Sequence, residues 1–511
     1  MANQQRSIYI LAHDLGTTGN KSTLCSADGR IAASCFCAYK TDYLRPNWAE
    51  QNPADWVQAV CNATRDMLAQ TGIRPGDIAV IGLSGHMMGA TLVDRGGRPL
   101  RSSILWADQR ARSQAEAVAS IIGRDEIYRL TGNRVSPAYP VCKLMWVRDH
   151  QPEIYAQAYK ALQCKDYIAY FLTGVFATDY SDASLAQLLD LEKRDWAWEM
   201  LAELGLSGSL MPDLYPSSAV IGRVTAEAAA ATGLKQGTPV TIGGGDGACA
   251  TVGACSIRTG DVYNYIGSSS WVALTTERPV LDSQQRTFNM MHLDPSLYIA
   301  VGTMQAAGGA YSWLEELLRA PGESEPDYAR LDQAAAGCPP GGNGLLFLPY
   351  LLGERSPYWN PAARGAWIGL SMPDGRAEMA RAVLEGVGFN LRIILEALQS
   401  QGVQVEEMRL IGGGSKSAVW RQILANIYEL PVSVLDLPYA ATALGAAIAG
   451  GIGVGIYPDY SVAQKLAPAI GLTLSQPETF PIYRELYALF QESYRALEGI
   501  YQRLGSLPPA P

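Results

Sequence analysis

The chain has 511 residues, of which 48% are hydrophobic and 17% are charged, so it is long enough for at least two domains and leaves little room for long disordered regions. Its formal net charge is −9 without a long run of like charges. This argues against a surface that binds nucleic acid or anionic membranes and favours a protein that acts on small molecules. The nine cysteines include no CxxC pair, and Cys35 and Cys37 would share one face of a strand. We therefore expect reduced, mostly buried thiols rather than structural zinc or disulfides.

The N-terminus is polar over residues 1–7 and leads directly into a strand pattern. It lacks the apolar stretch and the small-residue cleavage site of a secretory signal. We predict a cytoplasmic protein with no membrane partner and no nucleic-acid partner.

The first strand pattern, residues 8–11, precedes the loop Asp14-Leu15-Gly16-Thr17-Thr18-Gly19, and residues 21–23 can begin the next strand of a hairpin. Backbone N–H groups and hydroxyls of such a turn can bind phosphate oxygens, and a carboxylate at the strand end can hold Mg²⁺ through water. A solvated hairpin turn is an equal alternative at this point. The GxGxxG and GxxxxGK[ST] motifs are absent here, which leaves an NAD-dependent dehydrogenase without support.

A second glycine-rich loop, Gly243-Gly244-Gly245-Asp246-Gly247-Ala248, follows the apolar run 240–242 and precedes a predicted helix. The carboxylate of Asp246 could accept the proton of an attacking hydroxyl, as general bases do in phosphoryl transfer. Asp is also a preferred N-cap residue, so the position alone does not distinguish catalysis from capping.

Short apolar runs with glycine-rich turns alternate with helical patterns in both halves of the chain, as in α/β proteins. Residues 78–83 are a further run in the first half, and residues 262–266 and 409–411 are runs in the second half. The last two precede the loops Gly267-Ser268-Ser269-Ser270 and Gly412-Gly413-Gly414-Ser415. We predict two similar α/β domains, residues 1–257 and residues 258–511.

Two long helices are predicted from apolar residues at three- and four-residue spacing, and each should bury this face in the core. The spaced residues are Met379, Val383, Val387, Leu391, Ile394 and Leu398 in one helix, and Ile482, Leu486, Leu489, Tyr494 and Leu497 in the other.

An uncharged segment, residues 437–457, is long enough to span a bilayer but consists mainly of Ala and Gly, with Pro438 and Pro458 near its ends. It has few of the large aliphatic residues that favour membrane insertion. We predict an Ala-rich helix at residues 442–449, packed closely on a sheet and followed by a glycine loop.

Taken together and in order, these motifs resemble the FGGY family of carbohydrate kinases, and within it the xylulokinases look most similar. The likeness runs from about residue 9 to residue 455. Besides the loops already quoted, the motifs that carry it are GLSGHMMGATLVD at 82–94, WADQR at 106–110, KLMW at 143–146, GERSP at 353–357, RAVLEG at 381–386 and ALGAA at 443–447.

The resemblance implies two actin-like, ribonuclease H-like domains of the actin, hexokinase and heat-shock chaperone ATPase superfamily. ATP would lie in the cleft between the domains with Mg²⁺, and the sugar would lie deeper, mostly against the first domain. The implied reaction is phosphorylation of D-xylulose to D-xylulose 5-phosphate.

Residue by residue, the resemblance implies that Asp246 is the catalytic base and that Asp14 organises Mg²⁺, so that both carboxylates are candidate metal-side groups. Trp106 is implied as a wall of the sugar pocket, although an indole is by default a core residue. The implied nucleotide contacts are Gly16, Thr17, Thr18, Gly267, Ser268, Gly308, Gly413, Gly414 and Ser415, and the implied sugar contacts are Met87, Met88, Trp106 and Asp246.

The chain departs from the xylulokinase pattern at two places. Xylulokinases typically have Gln-Met-His where this chain has His86-Met87-Met88, and Asp-Asn where it has Asp246-Gly247. Two polar sugar contacts are therefore missing, and such losses change which acceptor hydroxyls can be satisfied. His86 is either a substituted sugar contact or a satisfied structural histidine.

Other acceptors within the family remain open, namely ribulose, gluconate, fuculose and glycerol. Outside the kinases, the alternatives are an actin-like ATPase switch without a sugar site and a protein that senses sugar without phosphorylating it. The segment 106–110 and the methionines Met87 and Met88 argue against the switch, and the presence of both Asp14 and Asp246 argues against the sensor. A homodimer is the default expectation for oligomeric state.

Overall fold

The structure, a computed structural model, describes residues 8–319, 325–435 and 441–507. The polar N-terminus at residues 1–7 and the first part of the uncharged segment, residues 437–440, lie outside the described residues.

The first half of the chain alternates strands and helices up to residue 253. Its strands are β1 Tyr9–Leu15, β2 Gly19–Ser26, β3 Ile31–Ala38, β4 Asp42–Arg45, β5 Trp48–Gln51, β6 Ile78–Gly85, β7 Thr91–Val93, β8 Ser103–Ile104, β9 Lys160–Leu162, β10 Ala177–Asp179, β11 Leu189–Asp190, β12 Asp195–Trp196, β13 Asp213–Tyr215, β14 Val220–Arg223, β15 Pro239–Thr241 and β16 Gly244–Gly245. Its helices are α1 Pro53–Thr71, α2 Arg112–Ile121, α3 Arg124–Thr131, α4 Pro140–His150, α5 Pro152–Gln157, α6 Cys164–Thr173, α7 Tyr180–Ser184, α8 Trp198–Glu203, α9 Ala226–Thr232 and α10 Asp246–Gly253.

The second half continues the alternation from residue 262. Its strands are β17 Val262–Ile266, β18 Ser270–Thr276, β19 Phe288–Met291, β20 Tyr298–Met304, β21 Leu346–Leu348, β22 Ala366–Ile368, β23 Met408–Ile411, β24 Val432–Leu435 and β25 Ala469–Thr473. Its helices are α11 Gly308–Leu318, α12 Tyr328–Gly337, α13 Arg376–Leu398, α14 Ala418–Tyr428, α15 Ala441–Gly453, α16 Ala463–Leu466 and α17 Phe480–Gly505.

One mixed sheet organises the first half, in the strand order β14-β15-β6-β1-β2-β3, with β16 also pairing with β6. β1 is antiparallel to β2, which makes the predicted hairpin, and it is parallel to β6. β16 is also parallel to β6. The loop after β1 and the loop that contains Asp246 therefore emerge at the same edge of the sheet.

The second half builds its main sheet in the order β19-β20-β18-β17-β23-β24-β25. β17 is antiparallel to β18 and parallel to β23, as β1 is to β2 and β6. The prediction that the two halves share one architecture is therefore confirmed.

The two predicted long helices exist, but only the first buries the predicted face. In α13, five of the six spaced residues are buried and Met379 packs against the core from its edge. In α17, Ile482 and Leu489 are 42% and 41% exposed, so the prediction of their burial is wrong. The buried face of α17 is instead largely aromatic. Tyr483, Tyr487 and Tyr494 bury their rings and keep their hydroxyls hydrogen-bonded, whereas the Tyr501 hydroxyl has no such partner among the described residues. The buried face comprises Tyr483, Leu486, Tyr487, Phe490, Tyr494 and Tyr501.

The predicted Ala-rich helix is α15, and it covers the sheet of the first half. A Cβ atom on Gly445 would lie 2.1 Å from the carbonyl oxygen of Cys249 in α10, and one on Gly82 of β6 would lie 2.3 Å from the carbonyl oxygen of Ala446. Only glycine permits this close approach of backbones. The helix runs on to Gly453, so the prediction of a glycine loop directly after residue 449 is wrong.

The cysteines are free, and all except Cys35 and Cys37 are buried, as predicted. Across residues 8–319, 325–435 and 441–507, the helices include none with the length and apolar character needed to cross a bilayer.

Candidate active site

Asp14 lies near the end of β1 and is held from two sides. The Ser84 hydroxyl of β6 donates to Oδ1 at 2.9 Å, and the Thr442 hydroxyl of α15 donates to Oδ2 at 2.5 Å. Burial raises the pKa of Asp14, and these two hydrogen bonds together with Lys21 oppose that shift. Thr442 was not predicted as a site residue, because nothing local in the sequence links α15 to β1.

Asp246 is the first residue of α10, and Gly245 occupies the N-cap. Asp14 and Gly244 pair with Ser84 from opposite sides of β6, so their backbones are separated by two strand spacings, roughly 9–10 Å. Burial and the nearby charge of Asp14 raise the pKa of Asp246 to about 7, although its carboxylate accepts the Gly247 N–H at 2.7 Å. A carboxylate with this pKa is suited to general-base chemistry near neutral pH.

The two carboxylates fit a hydrated magnesium ion better than a direct cage of protein ligands. Within the part of the chain that the structure describes, no group of three or more His, Cys, Asp or Glu ligand atoms gathers at this edge; Cys35, Cys37 and Asp66 form such a group elsewhere. Mg²⁺ usually keeps several waters and takes one or two carboxylates plus substrate phosphates. A cation would also offset the repulsion that raises the pKa of Asp246.

The predicted phosphate loop is the turn between β1 and β2. The Gly16 N–H donates to the Gly19 carbonyl at 3.0 Å, which closes the turn, and the Tyr39 hydroxyl donates to the Gly16 carbonyl. Gln51 Nε2 donates to the Thr17 carbonyl at 2.7 Å. Thr18 is exposed at the tip of the turn. Two residues that sequence reasoning did not identify, Tyr39 and Gln51, thus hold the loop by hydrogen bonds to its carbonyl groups.

Trp106 lies beside this loop rather than in the core. The residue is 42% exposed, and its Nε1–H donates to the Thr17 hydroxyl at 3.0 Å. The default expectation of a core indole is therefore wrong, and the structure brings the predicted pocket wall into contact with the predicted phosphate loop.

Met87 and Met88 follow β6, and Met87 lies next to the Asp246 loop. Met87 is buried, and a Cβ atom on Gly245 would lie 2.4 Å from its Cε. Met88 has φ 66°, a left-handed conformation that is uncommon for a side chain of this kind. Its N–H donates to Gln163 Oε1 at 2.6 Å.

Lys143 ties the Met88 segment to the Trp106 segment. Its Nζ donates to the carbonyls of Met88 and Leu105, both at 2.7 Å, and Leu105 directly precedes Trp106. Burial lowers the pKa of Lys143 to about 7. The sequence marked Lys143 only as part of a motif, because its partners are 55 and 38 residues away.

His86 is 2% exposed, and neither ring nitrogen has a hydrogen-bond partner among the described residues. Its ring meets Trp56 edge to face at 5.6 Å. Burial and the charge of Lys143 lower its pKa to about 4, so the ring is neutral. His86 is therefore not a structural histidine whose ring nitrogens are satisfied by hydrogen bonds.

The second half contributes a cavity of about 530 Å³ that is large enough for a nucleoside. Five of the predicted nucleotide residues line it, namely Gly267, Ser268, Gly308, Gly413 and Gly414. Ser415 is not part of this lining; it is buried, and its hydroxyl donates to the Gly412 carbonyl at 2.7 Å.

The same cavity has a polar wall that sequence reasoning missed. The Tyr311 hydroxyl donates to Asp332 Oδ1 at 2.9 Å, and the hydroxyls of Tyr328 and Ser312 are 2.9 Å apart. Ser417, the N-cap of α14, also lines the cavity. Helical tyrosines usually indicate core packing, so no local signal identified this wall.

Comparison with family models matches both halves of the chain. Residues 9–253 match the N-terminal domain of the FGGY family of carbohydrate kinases, and residues 262–454 match its C-terminal domain. The predicted division at residues 257 and 258 falls between these matches and stays a prediction.

Similar proteins share this architecture along almost their whole length. The xylulose kinase of Escherichia coli strain K12 is 33% identical over 492 residues, which cover 96% of this chain and 98% of that protein. The gluconokinase of Bacillus licheniformis is 31% identical over 505 residues, which cover 98% of each. A gluconate kinase structure from Lactobacillus acidophilus superimposes with a TM-score of 0.91 at 28% identity, covering 98% of this chain and 100% of that chain.

Proposed function

Because the chain belongs to the FGGY family of carbohydrate kinases, and is thus an ATP-dependent sugar kinase with the two-domain actin-like fold, we propose that its acceptor is D-xylulose and its product D-xylulose 5-phosphate. The observation that carries the proposal is the position of Asp246, with a pKa of about 7, beside Met87 and across β6 from Asp14. Xylulose is favoured because relatives named xylulose kinase include the E. coli protein, at 33% identity.

In the proposed mechanism, Asp246 orients the terminal hydroxyl of the sugar and accepts its proton as the phosphoryl group arrives in line. Asp14 would hold magnesium, and the ion would supply charge compensation to the transferring phosphoryl group. The N–H groups of Thr17, Thr18 and Ser268 bind phosphate oxygens, and Trp106 closes the sugar side. Positioning and electrostatic preorganisation provide most of the acceleration.

Gluconate is the second candidate acceptor. Met88 and Gly247 stand where xylulokinases typically have His and Asn, and the relatives of similar identity include a gluconokinase. Loss of two polar groups weakens the recognition of a ketopentose, so the pocket has a feature that favours a different acceptor. A homodimer and a cytoplasmic location remain predictions.

An ADP-release assay over sugars, polyols and sugar acids tests the proposal. We expect ADP release to require both an acceptor and Mg²⁺, with D-xylulose giving the highest kcat/KM. A higher value for gluconate would replace xylulose with the second candidate. ADP release that no acceptor stimulates would favour the ATPase switch and contradict the assignment of a sugar acceptor.

The double variant Met88→His with Gly247→Asn should shift acceptor preference toward xylulose. Histidine tolerates the left-handed conformation of Met88, and Gly247 does not have a positive φ. A Cβ atom on Gly247 would lie 3.1 Å from Met290 Cε, the end of a flexible side chain. We expect the ratio of kcat/KM for xylulose to that for gluconate to rise about tenfold.

The matched control is Met88→Leu with Gly247→Ala, which changes side-chain volume without adding polar groups. It should leave the ratio near the native value. An equal rise in both double variants would mean that shape, rather than hydrogen bonding, sets the preference.

A further inference from the structure

Lys165 lies among three aspartates in a group that solvent does not reach. Its Nζ is 2.6 Å from Asp166 Oδ1, 2.9 Å from Asp179 Oδ1 and 3.0 Å from Asp182 Oδ2, and all four side chains are 0–1% exposed. Burial opposes the charged form of Lys165, but the three carboxylates outweigh it and hold its pKa well above the ordinary value. Burial raises the pKa of Asp182 well above its usual range. We call these four residues the buried lysine cluster.

The buried lysine cluster is bonded to the loop that carries Asp246. The Ser181 hydroxyl donates to Asp179 Oδ2 at 2.6 Å and accepts the Gly245 N–H at 2.9 Å. Gly245 directly precedes Asp246. A Cβ atom on Gly244 would lie 3.1 Å from Ser181 Oγ and 3.6 Å from Asp179 Oδ2, so the loop backbone packs directly on the cluster.

The cluster is also bonded, through Gln163, to the residues Met87 and Met88, which we call the acceptor segment because they are the proposed sugar contacts after β6. Gln163 Oε1 accepts the Met88 N–H at 2.6 Å, and its Nε2 donates to the Asp182 carbonyl at 2.6 Å. Its own backbone N–H donates to Asp166 Oδ2 at 3.0 Å. Met88 has the left-handed conformation, which persists only where surrounding structure enforces it.

A contribution to the stability of the fold is a weak explanation for the presence of the buried lysine cluster. Apolar side chains of similar volume often replace a buried ion pair without loss of stability, whereas an unpaired buried charge is strongly destabilising. The bonds that Asp179, Asp166 and the Asp182 carbonyl make to Ser181 and Gln163 do, however, have fixed directions, and they lead to Gly245 and Met88.

We propose that the buried lysine cluster is a positioning device that fixes the Asp246 loop relative to Met87 and Met88, an inference that rests on the proposed function of these residues. Its four side chains cannot touch substrate because they are closed to solvent. They act through Ser181 on the base and through Gln163 on the acceptor segment.

The test compares Ser181→Ala with the matched control Ser217→Ala. Ser217 Oγ donates to the same Asp179 Oδ2 at 2.8 Å, but its side chain makes no bond to the Asp246 loop. Both variants should lose similar thermal stability. Ser181→Ala should lower kcat roughly tenfold to a hundredfold with little change in KM for ATP, and Ser217→Ala should keep kcat within about twofold of native.

Ser181→Thr retains the hydroxyl and should recover most of the lost kcat. Equal kcat in the two alanine variants, or losses that simply follow stability, would overturn the proposal. Gln163→Met is a second probe that does not depend on the folding of Ser181→Ala. It should raise KM for the acceptor severalfold while KM for ATP is retained, and an unchanged acceptor KM would likewise overturn the proposal.

The native protein in the same assay separates the two levels of inference. Absence of acceptor-stimulated ADP release in the native chain would refute the proposed function. The positioning role is then judged from acceptor-independent ATP hydrolysis by Ser181→Ala and Ser217→Ala, where equal rates would refute it as well.

Discussion

Replacing Asp246 with asparagine should lower kcat by roughly a hundredfold to ten-thousandfold, the usual range for loss of a general base. Asparagine has nearly the shape of aspartate, but it cannot accept the proton of the acceptor hydroxyl. KM for ATP should stay close to native, because the nucleotide cavity is built by the second half of the chain. Steady-state kinetics with the best acceptor measure both quantities.

Thr251→Val is the control for this variant. Thr251 lies in the same helix, α10, and its hydroxyl donates to the Gly247 carbonyl at 2.8 Å without carrying an ionisable group. It should change thermal stability more than kcat. Near-native turnover in Asp246→Asn would remove Asp246 from the role of base.

Glu354→Gln should remove a pH dependence of stability. Glu354 is buried, its Oε1 accepts the N–H groups of Gln305 and Arg355, and burial raises its pKa from 4.5 to about 8. At pH values between 4.5 and about 8, Glu354 is protonated in the folded state and ionised in the unfolded state. The free energy of unfolding therefore falls as pH rises through this range. The slope is about 1.4 kcal/mol per pH unit, which gives about 5 kcal/mol over the whole window.

Chemical denaturation at pH 5, 6, 7 and 8 measures this difference. The native curve should fall more steeply with pH than that of Glu354→Gln, by the slope given above. Glu406→Gln, a change at an exposed glutamate, should run parallel to the native protein. Parallel curves for native and Glu354→Gln would mean that Glu354 is already ionised in the folded state.

The sequence was sufficient for those parts of the site that are local in the chain. Asp14 with its turn, and Asp246 with its glycines, each follow a short strand, and pairing of β1 and β16 with β6 brings them to one edge. The loops at residues 267–270 and 412–415 could be predicted for the same reason, since a loop after a strand has a readable pattern, whereas Gly308 and the role of these loops as nucleotide contacts were implied only by the family resemblance.

Contacts between distant segments could not be predicted. Thr442 reaches Asp14 across 428 residues, and Gln163 reaches Met88 across 75. Such pairs depend on how helices settle on the sheets, which no local periodicity records. The error in α17 has a related cause, because tyrosine is amphipathic: the predicted pattern included the exposed Ile482 and Leu489 and omitted the buried Tyr483, Tyr487, Phe490 and Tyr501.

The placement of α15 has a consequence for the order in which parts of the protein fold during synthesis. β1, β6 and α10 emerge from the ribosome long before residues 441–453 are synthesised. Residues 441–453, which form α15, nevertheless cover the surface around Gly82 and Cys249. Domains usually fold one after another as they emerge. The sheet face around Gly82 therefore stays uncovered until residues 441–453 have emerged, and Asp14 gains its Thr442 partner only then.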